Sequence, residues 1–179
     1  GQASCTFCET GRYIDIEGSS QCTNCSAYTY QNRIGMSNSS SCIQCSPGKY
    51  NHYPGQSSCN ICEKGYYCIG NDREAACGLG KYLNSSSGSK SSDCLDCKQG
   101  YYNDLLGQAF CKSCMSGKYL NKTGMINENN CTNCSVGKYS SKEGQASCTF
   151  CEPGRYIEIE GSTQCTNCGL GKYLNSSSG

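Results

Sequence analysis

Hydrophobic positions in this chain are few and recur at a short interval. A tyrosine lies five residues after the second cysteine of every repeating unit: Tyr13, Tyr30, Tyr50, Tyr67, Tyr82, Tyr102, Tyr119, Tyr139, Tyr156 and Tyr173. Around two of these tyrosines the residues alternate between apolar and polar, over 13–17 and 156–160. That alternation is the strand period. We therefore predict short strands and little helix.

Glycines flank each predicted strand. One lies three residues after the second cysteine in nine of ten units, with Tyr28 as the exception, and another lies ten residues after it in seven. Glycine permits the positive φ that tight turns require. Each unit is predicted to be a short hairpin with its tyrosine ring over the adjacent disulfide, because the ring is broad and apolar while its hydroxyl stays in water.

Nine Cys-x-x-Cys doublets frame these units, and neighbouring doublets start 17 or 20 residues apart, except across one irregular unit between Cys62 and Cys94. A fixed period this short predicts a stacked repeat array rather than one globule. We divide the chain into regular repeats at 1–61, an irregular repeat at 62–94 that contains isolated Cys68 and Cys77, and regular repeats at 95–179, the last of them truncated. We interpret the chain as a segment of a longer protein.

Composition explains why the cysteines must be cross-linked. The chain has 20 Cys, 14 Tyr, three Phe and no Trp among 179 residues. Burial at about 25 cal/mol per Å² does not offset the ordering of such short units with so few aliphatic side chains. A disulfide that closes a loop of about 15 residues contributes roughly 3 kcal/mol in the chain-entropy model. Cysteine at this density is typical of extracellular scaffolds, and we predict an extracellular or cell-surface location.

The simplest pairing joins the second cysteine of one doublet to the first of the next. It gives Cys8–Cys22, Cys25–Cys42, Cys45–Cys59, Cys97–Cys111, Cys114–Cys131, Cys134–Cys148 and Cys151–Cys165. In the irregular repeat we favour Cys62–Cys77 with Cys68–Cys94. Cys5 and Cys168 are left to pair outside the chain. Bonding within each doublet, and other connectivities, remain open.

Zinc is the alternative role for these doublets, because two Cys-x-x-Cys pairs form a tetrahedral cage. The even recurrence of the doublets disfavours it, and so do the Asn-x-Ser/Thr sequons. We predict N-glycans on hairpin asparagines: Asn38, Asn84, Asn121 and Asn175. Asn24, Asn130 and Asn133 rank below them, because they lie at the crowded doublets with Cys in the middle of the sequon. No other cofactor is expected.

Charge and motifs exclude several classes of function. A net charge of +1 implies no bulk attraction to nucleic acid or membrane, and no apolar run is long enough to span a bilayer. The sole histidine, His52, is predicted to be solvated at a hairpin tip, so no catalytic triad can be assembled. We interpret the carboxylate pairs Asp15/Glu17 and Glu158/Glu160 as solvated faces. An enzyme is not predicted.

A basic residue follows the first glycine in seven units: Arg12, Lys49, Lys81, Lys118, Lys138, Arg155 and Lys172. A constant twist would align these residues into a stripe that meets acidic glycans. The simpler interpretation is a charged edge that discourages strand pairing.

The string Cys-x-x-Cys-x-x-Gly-x-Tyr-x4-Gly-x3-Cys-x-x-Cys resembles the ephrin-receptor-like cysteine-rich repeat, and it looks like the first loop of tumour-necrosis-factor-receptor-type modules. Residues 45–62 and 151–168 carry it best, and the resemblance covers the full chain. It implies an elongated, disulfide-laddered extracellular array, without implying ephrin or cytokine binding. Only Pro47 and Pro153 supply the proline that usually follows the doublet in that family.

The leading hypothesis is a structural repeat segment of a long glycosylated extracellular rod, filament or cell-surface appendage, which is able to associate with copies of itself. Residues 1–25 nearly repeat as 144–168, and 78–88 repeat as 169–179, which suits a spacer. The alternative is a receptor or adhesion ectodomain that binds other extracellular proteins or glycans. It would expose an apolar patch near 62–77, beside Arg73 and Glu74. The third hypothesis is an intracellular zinc-binding array.

Overall fold

The computed structural model describes residues 4–70 and 75–174. Within these ranges the strands are numbered in chain order and form nine two-stranded antiparallel hairpins. Their first strands are β1 (Arg12–Tyr13), β3 (Thr29–Tyr30), β5 (Lys49–Tyr50), β7 (Tyr66–Tyr67), β9 (Lys81–Tyr82), β11 (Tyr101–Tyr102), β13 (Lys118–Tyr119), β15 (Lys138–Tyr139) and β17 (Arg155–Tyr156). Their second strands are β2 (Thr23–Asn24), β4 (Ile43–Gln44), β6 (Asn60–Ile61), β8 (Ala75–Ala76), β10 (Leu95–Asp96), β12 (Lys112–Ser113), β14 (Thr132–Asn133), β16 (Thr149–Phe150) and β18 (Thr166–Asn167).

Eight of the nine hairpins pair a template tyrosine with the residues inside the next cysteine doublet, and in the irregular repeat Tyr67 lies opposite Ala75. In the first hairpin Tyr13 lies opposite Thr23 and Arg12 lies opposite Asn24. The two residues between the cysteines therefore limit the pairing to two residues, and the predicted five-residue strands at 13–17 and 156–160 are wrong. Beyond the tyrosine the chain bends, and the side chains of Ile16 and Ile159 are 68% and 75% exposed.

The two repeat lengths have a structural cause. The two cysteines of a disulfide are 14 residues apart in the shorter repeats, as in Cys8–Cys22, and 17 residues apart in three longer ones. Each of these three contains one 3₁₀ turn just before the closing cysteine: η1 (Ser39–Ser41), η2 (Ser91–Asp93) and η3 (Glu128–Asn130). The three additional residues of the longer period are thus accommodated as a single 3₁₀ turn.

The first template glycine has two reasons to be glycine. Gly11 has a φ of +82° and is the third residue of a turn in which the Arg12 N–H donates to the Glu9 carbonyl at 3.3 Å, as a type II turn requires. A Cβ on Gly11 would also stand closer to the Gly55 carbonyl oxygen, two repeats along, than real Cβ atoms do. Tyr28 takes the same place with a φ of +67°, where a bulky side chain is an outlier.

Successive repeats are joined by a backbone ladder. From the repeat of Cys97 to that of Cys114, the Gly100 N–H donates to the Leu120 carbonyl at 2.8 Å, and the Gly124 N–H donates back to the Cys97 carbonyl at 2.8 Å. Equivalent bonds recur between other neighbours, for example from Gly11 to Gln31 and from Gly117 to Ser140. Because main-chain groups make these bonds, the ladder does not depend on which side chains a repeat carries.

The residue after the template tyrosine, here called the ladder position, is the buried site that the sequence pattern does not reveal. It is buried in eight repeats: Gln31, Asn51, Cys68, Leu83, Asn103, Leu120, Ser140 and Ile157. Half of these residues are polar, so the position has no hydrophobic periodicity. Polar members bond to main-chain groups. Asn51 Nδ2 donates to the Thr29 carbonyl of the preceding repeat at 2.9 Å, and its Oδ1 accepts from the Tyr53 N–H at 3.1 Å.

The core consists of small clusters around disulfides. The Tyr102 side chain packs with Leu120 against Cys114 and Cys131, and Tyr67 packs in the same way on the cluster of Cys77, Leu83 and Cys94. In both places the tyrosine covers the disulfide of the following repeat. The predicted class, a small disulfide-rich β array of hairpins, is confirmed.

Seven of the nine disulfides coincide with the predicted pairs. The predicted Cys62–Cys77 and Cys68–Cys94 bonds are wrong, because the structure joins Cys62 to Cys68 and Cys77 to Cys94. The Cys77 N–H bonds to the Gly65 carbonyl as the second cysteine of a doublet does, so its partner is the next first cysteine, 17 residues on. Cys68 is the displaced first cysteine and closes a short loop of separation 6.

The chain divides into two compact units. One comprises Gly1–Cys77 with Leu83–Cys94, and the other comprises Gly78–Tyr82 with Leu95–Gly179. The helical elements in the described part are three-residue 3₁₀ turns, and none of the helices there is long and apolar enough to cross a membrane.

Candidate functional surface

The basic residues occupy one equivalent position in the hairpins. Arg12, Lys49, Lys81, Lys118, Lys138 and Arg155 each begin the first strand of a hairpin, and Lys172 lies outside a strand. Their local partners differ. Lys81 Nζ forms an ion pair with Asp96 Oδ1 at 2.6 Å, whereas Lys138 Nζ lies 4.4 Å from the centroid of the Phe150 ring. Their positions are equivalent because each of these six residues directly precedes the template tyrosine in the first strand of its hairpin.

Sequon asparagines are exposed wherever the structure describes them. Asn38, Asn84 and Asn121 are exposed on the segment that follows a template tyrosine, and Asn175 lies outside the described residues. Asn38 precedes η1, and its Oδ1 accepts a hydrogen bond from Ser40 Oγ at 2.5 Å. The doublet sequons do not have the expected crowding, because Asn24, Asn130 and Asn133 are also exposed.

Two polar grooves lie beside disulfides. Groove A, beside Cys8–Cys22, has a volume of about 750 Å³ and is lined by Thr6, Phe7, Glu9, Arg12, Gln21 and Asn24. Groove B, beside Cys134–Cys148, has a volume of about 500 Å³ and is lined by Tyr119, Thr132, Asn133, Lys138, Ser147 and Glu160. Each groove contains one basic and one acidic side chain among hydroxyls and amides.

The candidate catalytic and metal-ligating side chains lie at the surface of the described residues. His52 is exposed, and its ring centroid lies 4.7 Å from that of Tyr50. Asp15, Glu17, Glu158 and Glu160 are exposed after the first strands of their hairpins. Across residues 4–70 and 75–174 no group of three His, Cys, Asp or Glu side chains is placed to hold a metal ion. The doublet cysteines that a zinc cage would need are joined in disulfides, apart from Cys5 and Cys168, which have no disulfide partner within the chain.

Local electrostatics are dominated by short ion pairs and by burial. Asp104 Oδ1 lies 2.7 Å from Lys112 Nζ; their hydrogen bond lowers the pKa of Asp104 and raises the pKa of Lys112. Burial raises the pKa of the Tyr102 phenol. These are structural consequences of the hairpins, since neither ion-pair partner lines groove A or groove B.

The apolar patch predicted for the irregular repeat falls only partly on described residues. Cys62, Cys68 and Cys77 are fully buried, whereas Ile69 and Leu79 are 48% and 44% exposed. Arg73 and Glu74 lie outside the described residues. Exposed apolar side chains also recur inside the doublets, as with Phe7 at 79% and Phe150 at 69%.

Comparison with protein families matches three overlapping stretches, 80–131, 117–168 and 137–178, to the family described as "Tyrosine-protein kinase ephrin type A/B receptor-like". Together they span residues 80–178, which is more than half of the chain. No curated protein matches it. The matched residues are the cysteine-rich hairpins, which in this family form extracellular, receptor-type, non-catalytic ectodomain repeats. The chain belongs to the ephrin type A/B receptor-like family of cysteine-rich repeats.

Proposed function

We propose that these repeats form a structural spacer in a long glycosylated extracellular rod, filament or surface appendage, and that they perform no catalysis. The observation that carries this proposal is the backbone ladder. A donor such as Gly100 N–H and an acceptor such as Leu120 carbonyl are present in any repeat of this type, so one repeat can follow another without a specific side-chain interface. Arrays joined only to their neighbours can gain or lose repeats without losing their core.

Internal copies support the same proposal. Residues 1–25 and 144–168 differ at three positions, Thr10/Pro153, Asp15/Glu158 and Ser20/Thr163. Of these six residues, five are exposed and Thr10 is half-buried. Copies at different offsets indicate that repeats have been duplicated and rearranged, as a spacer tolerates. A single specific site would have been disrupted by such rearrangement.

Small-angle scattering of the glycan-free chain tests the spacer. A compact domain of this length has a radius of gyration of about 16 Å. A rod requires a clearly larger value and a linear cross-sectional Guinier region, with both features lost on reduction of the disulfides. A radius near the compact value would overturn the proposal.

A receptor or adhesion ectodomain is the second candidate, because the matched family is of receptor type. It requires one repeat to bind a partner that the others do not bind. The spacer and the receptor can be distinguished by measuring how one extracellular partner binds to variants in which a single repeat is replaced. A spacer tolerates replacement of any repeat by its neighbour, whereas a receptor loses binding at one repeat only.

A further inference from the structure

We propose that Asn24 and Asn133 each carry an N-linked glycan whose first sugars lie in groove A and groove B, against the protein. The proposal rests on the extracellular part of the proposed function, because N-glycans are added in the secretory pathway. It reverses the ranking drawn from sequence, in which these two sequons came last.

The acceptor asparagines have suitable sequences and accessible side chains. Asn24-Cys25-Ser26 and Asn133-Cys134-Ser135 are both complete sequons. In each, the asparagine and the serine are exposed, while the middle cysteine is fully buried and disulfide-bonded. The cysteine that suggested crowding therefore points into the core and leaves the acceptor at the surface.

Each acceptor side chain is also positioned by a glycine of the next repeat. A Cβ on Gly55 would lie 3.0 Å from Asn24 Oδ1, and one on Gly161 would lie 3.5 Å from Asn133 Oδ1. The amide oxygen thus packs over a backbone that has no side chain. Each acceptor also lines a groove, Asn24 groove A and Asn133 groove B.

The two grooves suit a saccharide. They share six template positions: the two residues before the second cysteine, the residue after it, the basic residue, and the next disulfide cysteine with the residue before it. Asn133 is one of these six, at the place of Phe7 in groove A, whereas Asn24 borders groove A two residues beyond Cys22. Hydroxyl, amide and charged groups can bond sugar hydroxyls, and the rings of Phe7 and Tyr119 can face the apolar side of a pyranose. Both volumes fall within the range of about 300–1,000 Å³ that small-molecule sites occupy.

A docked glycan would cover the Cys8–Cys22 and Cys134–Cys148 disulfides. Asn84 and Asn121 differ from the acceptors proposed here, because neither lines groove A or groove B. Asn130 is an internal control, since it is an exposed doublet sequon that also lines neither groove. Asn167 lies in the same doublet position as Asn24 and Asn133 but precedes Cys168-Gly169, so it lacks a sequon.

The test uses the full chain secreted from a eukaryotic cell line. Glycopeptide mass spectrometry gives occupancy at each asparagine, and peptide N-glycosidase then releases glycans from the folded and from the denatured protein. Release from Asn24 and Asn133 of the folded protein is expected to be at least tenfold slower than from Asn84 and Asn121, with equal rates after denaturation. Lys138→Ala is expected to speed release at Asn133 alone, and Gly169→Ser is expected to create a glycan at Asn167.

The outcomes separate this inference from the proposed function. Unmodified Asn24 and Asn133 beside glycosylated Asn84 and Asn121 would overturn the inference and leave the glycosylated spacer intact. Occupied sites that are released as fast as Asn84 would overturn the docking in the grooves. A secreted chain without glycan at any asparagine would contradict the glycosylated part of the proposed function as well.

Discussion

At the scale of single residues, two kinds of template glycine have different costs of replacement. Gly100 and Gly124 both have positive φ, +84° and +66°. A Cβ on Gly100 would collide with the Gly144 carbonyl, whereas the nearest atom to a Cβ on Gly124 is Asp96 Cγ at 3.6 Å, an ordinary contact. The conformational cost and the steric cost can therefore be measured separately.

Gly124→Ala is expected to cost about 1–2 kcal/mol, the penalty of the left-handed region for an L-residue. Gly100→Ala is expected to cost about 1–3 kcal/mol more, because the added methyl overpacks against main chain. Hydrogen exchange of the amides of Cys114 and of residue 124 measures each cost, since these amides donate to the Gly100 and Cys97 carbonyls at 2.9 and 2.8 Å. Equal costs for the two variants would contradict the steric contribution.

At the scale of elements, the η2 turn is held by hydrogen bonds to a titratable side chain, that of Asp93. The Asp93 carboxylate accepts from the Ser89 N–H at 2.7 Å and from the Lys90 N–H at 3.2 Å. These bonds, led by that from Ser89, lower the pKa of Asp93. Because the folded-state pKa is depressed, the stabilisation is present above the unfolded-state pKa and is lost as the pH falls through the folded-state value.

The protection of the η2 amides is therefore expected to fall in acid, below the usual pKa of aspartate. Hydrogen-exchange protection factors for residues 89–94, compared at neutral and acidic pH, measure the change. The η1 turn is a matched control, because residues 31–42 contain no carboxylate side chain. Asp93→Asn should remove the pH dependence; a dependence that persists in this variant would exclude Asp93 as its source.

The disulfides give a further expectation at this scale, because none of those between the described cysteines joins the residues before Arg73 to those after it. Trypsin digestion of the unreduced chain in urea should leave Cys77 linked to Cys94 without the peptide that carries Cys68. Mass spectrometry identifies the linked peptides. A single cross-linked set spanning Arg73 would instead indicate the Cys62–Cys77 and Cys68–Cys94 pairing.

At the scale of the whole molecule, the ladder predicts tolerance to the loss of a complete repeat. Deletion of residues 115–134 places Cys114 before Ser135, so that Cys114 takes the role of Cys134 and bonds Cys148. We expect one disulfide pattern and a melting temperature within a few degrees of the parent, because each repeat contacts equivalent neighbours.

The contrasting deletion removes residues 135–144, keeps every cysteine, and eliminates β15 with both glycines of its repeat. We expect mixed disulfides and loss of ladder protection in the surrounding repeats. Mass spectrometry of unreduced peptides and thermal unfolding measure both variants. If both deletions behave alike, the repeat phase does not govern folding.

Much of the fold was predictable because it is encoded locally. A doublet, a glycine and a tyrosine at constant spacing determine a turn, a strand and a disulfide, and these features hold from Cys8 to Cys165 except at Tyr28 and in the irregular repeat. The length of the strands was not predictable from the alternation at 13–17, because pairing is limited by the partner strand inside the next doublet. The ladder position was missed because Asn51 and Leu120 occupy it equally well.

The sequence by itself determined the repeat, the hairpins and the regular disulfides, since each depends on residues fewer than 20 apart. The tertiary structure decided the rest. It paired Cys62 with Cys68 through the position of Cys77 on its hairpin, and it buried polar side chains such as Asn103 under the adjacent repeat. It also brought Asn24 over Gly55 and exposed it beside a groove. These outcomes depend on contacts between repeats, for which the order of residues within one repeat carries no signal.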